Sequence, residues 1–312
     1  MRAVWSFWSK PFEGYMGRTW REPLHHCLAW GLSLRLARRH ASETMLVTDQ
    51  AGAALLVDQL GLSFTEVRTD LDRIRKVDIG WWTMGKLFAY SLQDRPFVHL
   101  DTDVFLWKPL PRRITDAPVF AQCPEEHHPV DEWCGVRSLE NAFAQHGLPL
   151  PLEWQWVRDR NPNDALQENC GILGGTHTEF IRYYANSIMN FLNSPANAPV
   201  WDSLHEKSGF NPVIEQFTLS AFARYHQAHR ESPFRGVFLA DLFPSFMDAY
   251  NASITARIGF THLLGPAKKD PHIAGRLEQR VQREDPKFYR HCVWLNQNRE
   301  VFAVARATTA GA

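Results

Sequence analysis

The chain has 312 residues, enough for one large α/β domain or two small ones with a sizeable core. Lys plus Arg and Asp plus Glu each number 34, so the formal charge is zero with His neutral. That balance argues against a protein committed to nucleic acid or to an acidic membrane surface. No run approaches the ~18 apolar residues of a membrane span, which leaves at most peripheral association with a bilayer.

The five cysteines, Cys27, Cys123, Cys134, Cys170 and Cys292, show no CxxC spacing. They read as free thiols of a reducing compartment rather than a disulfide framework or a zinc site. Charge and proline arrive too soon after Met1 for a signal peptide, so the expectation is a cytoplasmic protein. Aromatic residues make up 12% of the chain, with 12 Trp and 20 Phe, which suits either a packed core or platforms for sugar rings and bases.

In chain order, residues 2–8 read as a first strand and Pro23 to about His40 as a helix, with Pro23 at its first position. Met45–Thr48 is a short apolar strand ending at Asp49, and Ala53–Leu60 a helix stopping at Gly61. Phe64–Val67 reads as another strand, and Trp81–Gln93 has helical apolar spacing. The run Phe97-Val98-His99-Leu100 leads into Asp101-Thr102-Asp103 and then Val104–Trp107. Residues 109–168 are rich in proline and tryptophan with little periodicity, and read as an irregular insertion with some helix near 138–146. Asn169–Gly175 reads as a glycine-framed strand, Thr178 as the cap of a helix, Val213–Arg224 as an amphipathic helix, and 237–239 and 258–262 as late strands. The tail after about Ala305 reads as disordered. Strands alternating with helices predict a mainly parallel sheet flanked by helices, with ligands at the carboxyl ends of its strands. The ends at Trp5 to Trp8, at Asp49 and at Asp101 to Asp103 are therefore the places to look.

Burying two carboxylates in an apolar run costs several kcal/mol unless positive or hydrogen-bonding partners meet them. On a strand Asp101 and Asp103 would share a face. Two convergent hard-oxygen ligands suit Mg2+ or Mn2+ holding a phosphate-bearing ligand. A solvated turn is the plainer alternative, but the flanks are apolar on both sides.

The stretch PFVHLDTDVFLWKPL resembles the metal-binding strand of GT-A nucleotide-sugar glycosyltransferases, whose hallmark is a DxD after an apolar strand. Asn169-Cys170-Gly171-Ile172-Leu173-Gly174 resembles the N-x-G-h-h-G strand lining the donor-sugar pocket of that fold. His262-Leu263-Leu264-Gly265-Pro266-Ala267-Lys268 resembles the H-x-x-G-x-x-K segment of the glycogenin and lipopolysaccharide galactosyltransferase group. The resemblance covers about residues 2–270 by short blocks, and implies one GT-A domain over 1–305, with 109–168 on the acceptor side and 306–312 as tail. It further implies transfer of a sugar from a nucleotide donor, UDP-linked, to a saccharide acceptor with retention. Asp101, Asp103 and His262 would hold Mn2+ or Mg2+. Lys268 would bind the diphosphate, although Lys269 stands next to it where that group has proline.

Other residues stay open between two readings. Lys86, in a W-x-x-G-K helix, is a second phosphate contact or a surface lysine. Asp49 is a nucleoside contact, beside Trp5 and Ser6 at the first strand, or a helix cap. Gly171 and Gly265 let a ligand approach the backbone. Asn169 serves the sugar pocket or satisfies backbone groups, and Glu215 lies beside the anomeric carbon or complements a helix dipole. Trp133, Trp154 and Trp156 are core or acceptor platforms. Two rivals remain: a DxD phosphohydrolase, whose motif belongs on the first strand with a later acidic pair, and a degenerate sugar-binding protein.

Overall fold

A computed structural model describes residues 1–14, 19–127 and 135–298. Trp133, Cys134 and the tail at 306–312 lie outside the described residues. The strands in chain order are β1 (Arg2–Phe7), β2 (Glu43–Thr48), β3 (Glu66–Arg68), β4 (Phe97–Leu100), β5 (Val104–Leu106) and β6 (Val119–Ala121). They are followed by β7 (Pro124–Glu126), β8 (Leu166–Glu168), β9 (Ile172–Gly175), β10 (Leu239–Asp241) and β11 (Phe260–His262). Seven of them form a mainly parallel central sheet in the order β10-β6-β9-β4-β1-β2-β3. The predicted α/β class, a mainly parallel sheet flanked by helices, is what the chain adopts.

The chain divides into two compact units: Met1–Ile79 with Leu100–Pro109 and the segment from Ile258 onward, and Gly80–His99 with Leu110–Arg257. In the first unit, β1 pairs parallel with β2 and β2 with β3. The β1 side chains are almost all buried, as expected of a strand covered on both faces. The helix Pro23–Ala37 starts with proline at its first position, as predicted, and buries most of its length. It packs against the helices Pro271–Glu284 and Pro286–Gln297. Gly31 permits the close approach: a Cβ there would lie 2.1 Å from the Phe288 ring. Asp270 starts the first of those helices by accepting from the His272 and Ile273 N–H groups ahead of Pro271, satisfying donors a helix start leaves open.

In the second unit, the helix Met84–Ser91 lies against Thr178–Asn193, whose Phe180, Ile181, Tyr184 and Ile188 are buried as the spacing predicted. β6 pairs parallel with β10 and antiparallel with β9. Gly174 is required in β9, because a Cβ there would fall 2.0 Å from the Phe97 carbonyl oxygen. Trp154 packs edge-on against Phe217, and Trp201 against Trp81, Phe143 and Phe191.

Several expectations need correction. The segment 109–168 carries β6, a strand of the central sheet, together with helices at Val136–Gln145 and Leu152–Arg160. Strands of three residues are too short to show periodicity. The helix start near 178 is capped by the His177 imidazole, which accepts from the Phe180 N–H, and not by Thr178. The segments 54–59 and 213–217 are wide π turns rather than regular α-helix.

Candidate functional site

In the first unit the chain leaves β4 at Leu100, and Asp101-Thr102-Asp103 forms a turn before β5, closed by the Val104 N–H donating to the Asp101 carbonyl at 3.0 Å. The strand geometry expected for the two aspartates is therefore not what brings them together; the turn does. β5 then pairs antiparallel with β11 in a separate two-stranded ladder, with His262 opposite Val104. That register sets His262 beside Asp103, and the Leu263 N–H donates to the Asp103 carbonyl at 3.0 Å. One ligand atom from each of Asp101, Asp103 and His262 falls within 4.8 Å of the others.

The electrostatics fit a cation. Asp103 is 3% exposed, with His262 Nε2 at 3.5 Å from Oδ1 and Lys268 Nζ at 2.5 Å from Oδ2. Burial pushes the Asp103 carboxyl up, but the Lys268 ammonium and the His262 imidazole outweigh it and hold it well below the carboxylate range. It is a carboxylate at any working pH. Two carboxylates and an imidazole make a mixed oxygen and nitrogen donor set, which Mn2+ accepts more readily than Mg2+. Behind Lys268 lies an aromatic cluster that the sequence did not reveal. Lys268 stands 5.8 Å over the Trp20 ring, and His26 stacks on Phe12 at 4.3 Å. Burial, reinforced by Lys268 and opposed by Asp103, lowers His26 to about 3. His26 is thus a neutral acceptor for the Trp30 indole N–H. Gly265 takes φ +45° with open space around it, and Lys269 is exposed.

Three other candidates of this unit are placed differently. Trp5 is fully buried and donates its indole N–H to Ser33 Oγ at 3.1 Å, so it offers no face to a ligand. Asp49 caps the helix that follows, accepting from the Gly52 N–H at 2.8 Å, and takes the Ser9 N–H and hydroxyl on its other oxygen. Burial raises the Asp49 carboxyl, against those hydrogen bonds. Of its two open readings, the cap is the one its contacts satisfy. Ser6 is half-buried in β1.

The second unit holds Lys86, Asn169, Gly171 and Glu215. Lys86 is neither a surface residue nor open to solvent: its Nζ lies 3.0 Å from Glu215 Oε1 and 3.0 Å from the Cys170 carbonyl oxygen. Glu215 is fully buried in the π turn, where it also accepts from the Tyr90 hydroxyl at 2.6 Å, and its own carbonyl accepts from Tyr184. The expectation of a carboxylate beside a sugar meets one with no exposed surface. Asn169 closes the turn before β9 by accepting from the Gly171 N–H at 2.9 Å, and donates to Glu125 Oε1 at 2.6 Å. Trp154 is core, bonded to Glu140, while Trp156 is half-buried with the Arg160 guanidinium 3.9 Å from its ring centre.

Sequence reading missed Glu168 and Asp241. Burial, then the neighbouring Asp241, raises Glu168 to about 9; burial raises Asp241 to about 6. The two share a proton at neutral pH. No motif joins residues so far apart: Asp241 is set by the pairing of β10 with β6, and Glu168 by the pairing of β8 with β7, which follows β6 in the chain.

These features define an α/β protein with an Asp-Asp-His cluster, able to hold a cation, just past the end of a sheet strand. The chain belongs to a family of unknown function, DUF6734, whose profile matches residues 1–295. No curated protein matches it. Among solved structures, the chain is similar to the galactosyltransferase LgtC in complex with donor and acceptor sugar analogs, at 14% identity over 88% of this chain and 96% of that one, with a TM-score of 0.36. Among the described residues, no helix is long and apolar enough to cross a membrane.

Proposed function

We propose that the protein is a metal-dependent glycosyltransferase of the GT-A type, moving a sugar from a UDP-linked donor to a saccharide acceptor with retention. The observation that carries this reading is the convergence of Asp101, Asp103 and His262 ligand atoms within 4.8 Å, from a turn and a strand far apart in sequence. The N-x-G-h-h-G and H-x-x-G-x-x-K blocks at Asn169–Gly174 and His262–Lys268 support it, since both recur in the order that fold requires.

Asp101, Asp103 and His262 would hold Mn2+, or Mg2+. When bound, such an ion supplies Lewis-acid stabilisation of a departing diphosphate. Lys268, already poised on Asp103, is the cation positioned to turn to a phosphate oxygen once Asp103 is engaged otherwise. Lys86 ties Glu215 to the Cys170 carbonyl, so Glu215, Lys86 and Asn169 act as positioning residues that fix the turn before β9. Gly171 presents its backbone within that turn. The free thiols Cys27, Cys123, Cys170 and Cys292, all buried, suit a reducing, cytoplasmic setting.

The test is nucleotide release from UDP-, GDP- and CMP-sugars, with Mn2+ and with EDTA. The expected result is UDP release with Mn2+, abolished by EDTA and by Asp103→Ala. Absence of binding or turnover with every donor, or an Asp103→Ala variant as active as the parent, overturns the reading.

A further inference from the structure

Lys268 reaches Asp103 from a segment of the first unit that is tied down on both sides. Ahead of it the Leu263 N–H donates to the Asp103 carbonyl, and behind it Asp270 caps the next helix. Between them Gly265–Lys269 makes one short helical turn, where the Arg21 N–H donates to the Lys268 carbonyl at 3.0 Å. With its backbone fixed, the lysine redirects its charge only through a flexible four-carbon side chain. That side chain is 21% exposed and brings Nζ to 2.5 Å from Asp103 Oδ2.

The residue before Arg21 supplies a wall for that ammonium. Trp20 is buried, and Lys268 Nζ stands over its ring at 5.8 Å from the centre, inside the ~6 Å over which a ring face attracts a cation. The Trp20 ring is itself held from behind: His26 meets it at a steep angle, 6.3 Å between centres, and stacks on Phe12. His26 accepts the Trp30 indole N–H as a neutral imidazole and brings no charge of its own. The ammonium thus has two attractive neighbours, a buried carboxylate and an aromatic face. One member of the Asp101–Asp103–His262 cluster therefore already carries a cation belonging to the chain.

We propose that Trp20 is a positioning residue that holds Lys268 on Asp103, making the ammonium a tethered counter-ion that competes with a divalent cation for this carboxylate. Two cations brought to one carboxylate repel each other strongly over a few ångströms. The lysine therefore opposes metal binding while Asp103 holds it, and ceases to once a phosphate group gives the ammonium another anion. Metal and phosphate are coupled through this one side chain, and by linkage each raises the affinity for the other. The inference rests on the metal-dependent reading of the cluster and adds to it which residue sets the order of binding.

The test titrates Mn2+ into the full chain by calorimetry, without nucleotide and then with UDP. Without nucleotide, Lys268→Ala should bind Mn2+ about tenfold more tightly than the parent, while its UDP affinity in Mn2+ falls. A lysine that merely supports the fold would lower both. Lys269→Ala removes an equal charge one residue away and should leave Mn2+ affinity within about twofold of the parent. Trp20→Leu should raise Mn2+ affinity about threefold in the parent and not at all in Lys268→Ala, whereas Trp20→Phe, which keeps a ring, should stay near the parent. A tryptophan with only a packing role would shift Mn2+ affinity equally in both backgrounds, and that result overturns its assignment. Lys268→Ala, at a partly exposed position, decides the competition even where Trp20→Leu does not fold. Mn2+ affinity equal in Lys268→Ala and parent, but lost in Asp103→Ala, overturns the proposal and leaves the metal reading standing. Mn2+ bound by neither parent nor Lys268→Ala overturns both.

Discussion

Lys86–Glu215 and Lys268–Asp103 each pair a lysine with a buried carboxylate, and they differ in what stands around the pair. At Lys86–Glu215 the ammonium reaches a backbone carbonyl and the carboxylate a tyrosine hydroxyl, all of it buried. The charges balance and the polar groups face inward. At Lys268–Asp103 one lysine meets a site that also contains Asp101 and an imidazole. Ligand atoms of three residues converge there within 4.8 Å, which the Lys86–Glu215 pair does not offer. The same residue pair is a staple where it stands by itself and a candidate binding centre where an imidazole and a second carboxylate join it.

The largest expected effect breaks the staple. Lys86→Met should cost ~3–5 kcal/mol in urea unfolding, because it strands a buried carboxylate, and Lys86→Met with Glu215→Leu should recover much of that loss. If Lys86→Met is as stable as the parent yet inactive, the lysine belongs to the chemistry and the contrast fails.

A second experiment uses the acidic pair. The Glu168 carboxyl lies raised at about 9 against an ordinary 4.5, so the folded chain keeps a proton that the unfolded chain releases between those values. Stability contributed by this group is therefore lost as pH rises through that window. Glu168→Gln should remove the dependence and stabilise the protein on the order of 3 kcal/mol at pH 7. A parent whose thermal midpoint is no more sensitive to pH from 5 to 9 than the variant's would refute the shared proton.

At the Asp101–Asp103–His262 cluster, Asp103→Ala should weaken Mn2+-dependent UDP binding by at least ~100-fold in calorimetry, more than loss of a residue that merely supports a ligand. Asp49→Ala should cost ~1 kcal/mol as a lost cap, with UDP affinity unchanged; a fall in that affinity would restore Asp49 as a nucleoside contact. The smallest effect is expected of Lys269→Ala, within ~0.5 kcal/mol as for an ordinary surface change, whereas Lys268→Ala should lower UDP affinity. Equal effects of the two would leave the phosphate lysine unassigned.

The Asp101–Asp103–His262 cluster was legible because its parts carry local signals: a DxD between apolar runs, and a histidine, glycine and lysine at fixed spacing. The helix at Pro23 and the alternation of strands were legible for the same reason. What escaped reading depends on long-range pairing. The turn at Asp101–Asp103 lies between two strands belonging to different sheets, and period-two reasoning assumes one strand continues. β6 is three residues long, below the length at which alternation can be seen. Lys86 stayed open between a phosphate contact and a surface lysine because its partner, Glu215, arrives from a π turn far along the chain. Glu168 and Asp241 form no motif at all, and meet only through a register of strands.

The short ladder between β5 and β11 has a consequence for how the protein matures. His262 is added beside Asp103 only when the late strand docks, so a chain still emerging from the ribosome, or cut before Phe260, carries the two aspartates without their third partner. Cation affinity would then report completion of the first unit: metal would be captured late, by finished molecules, and would in turn hold the late strand in place by mass action.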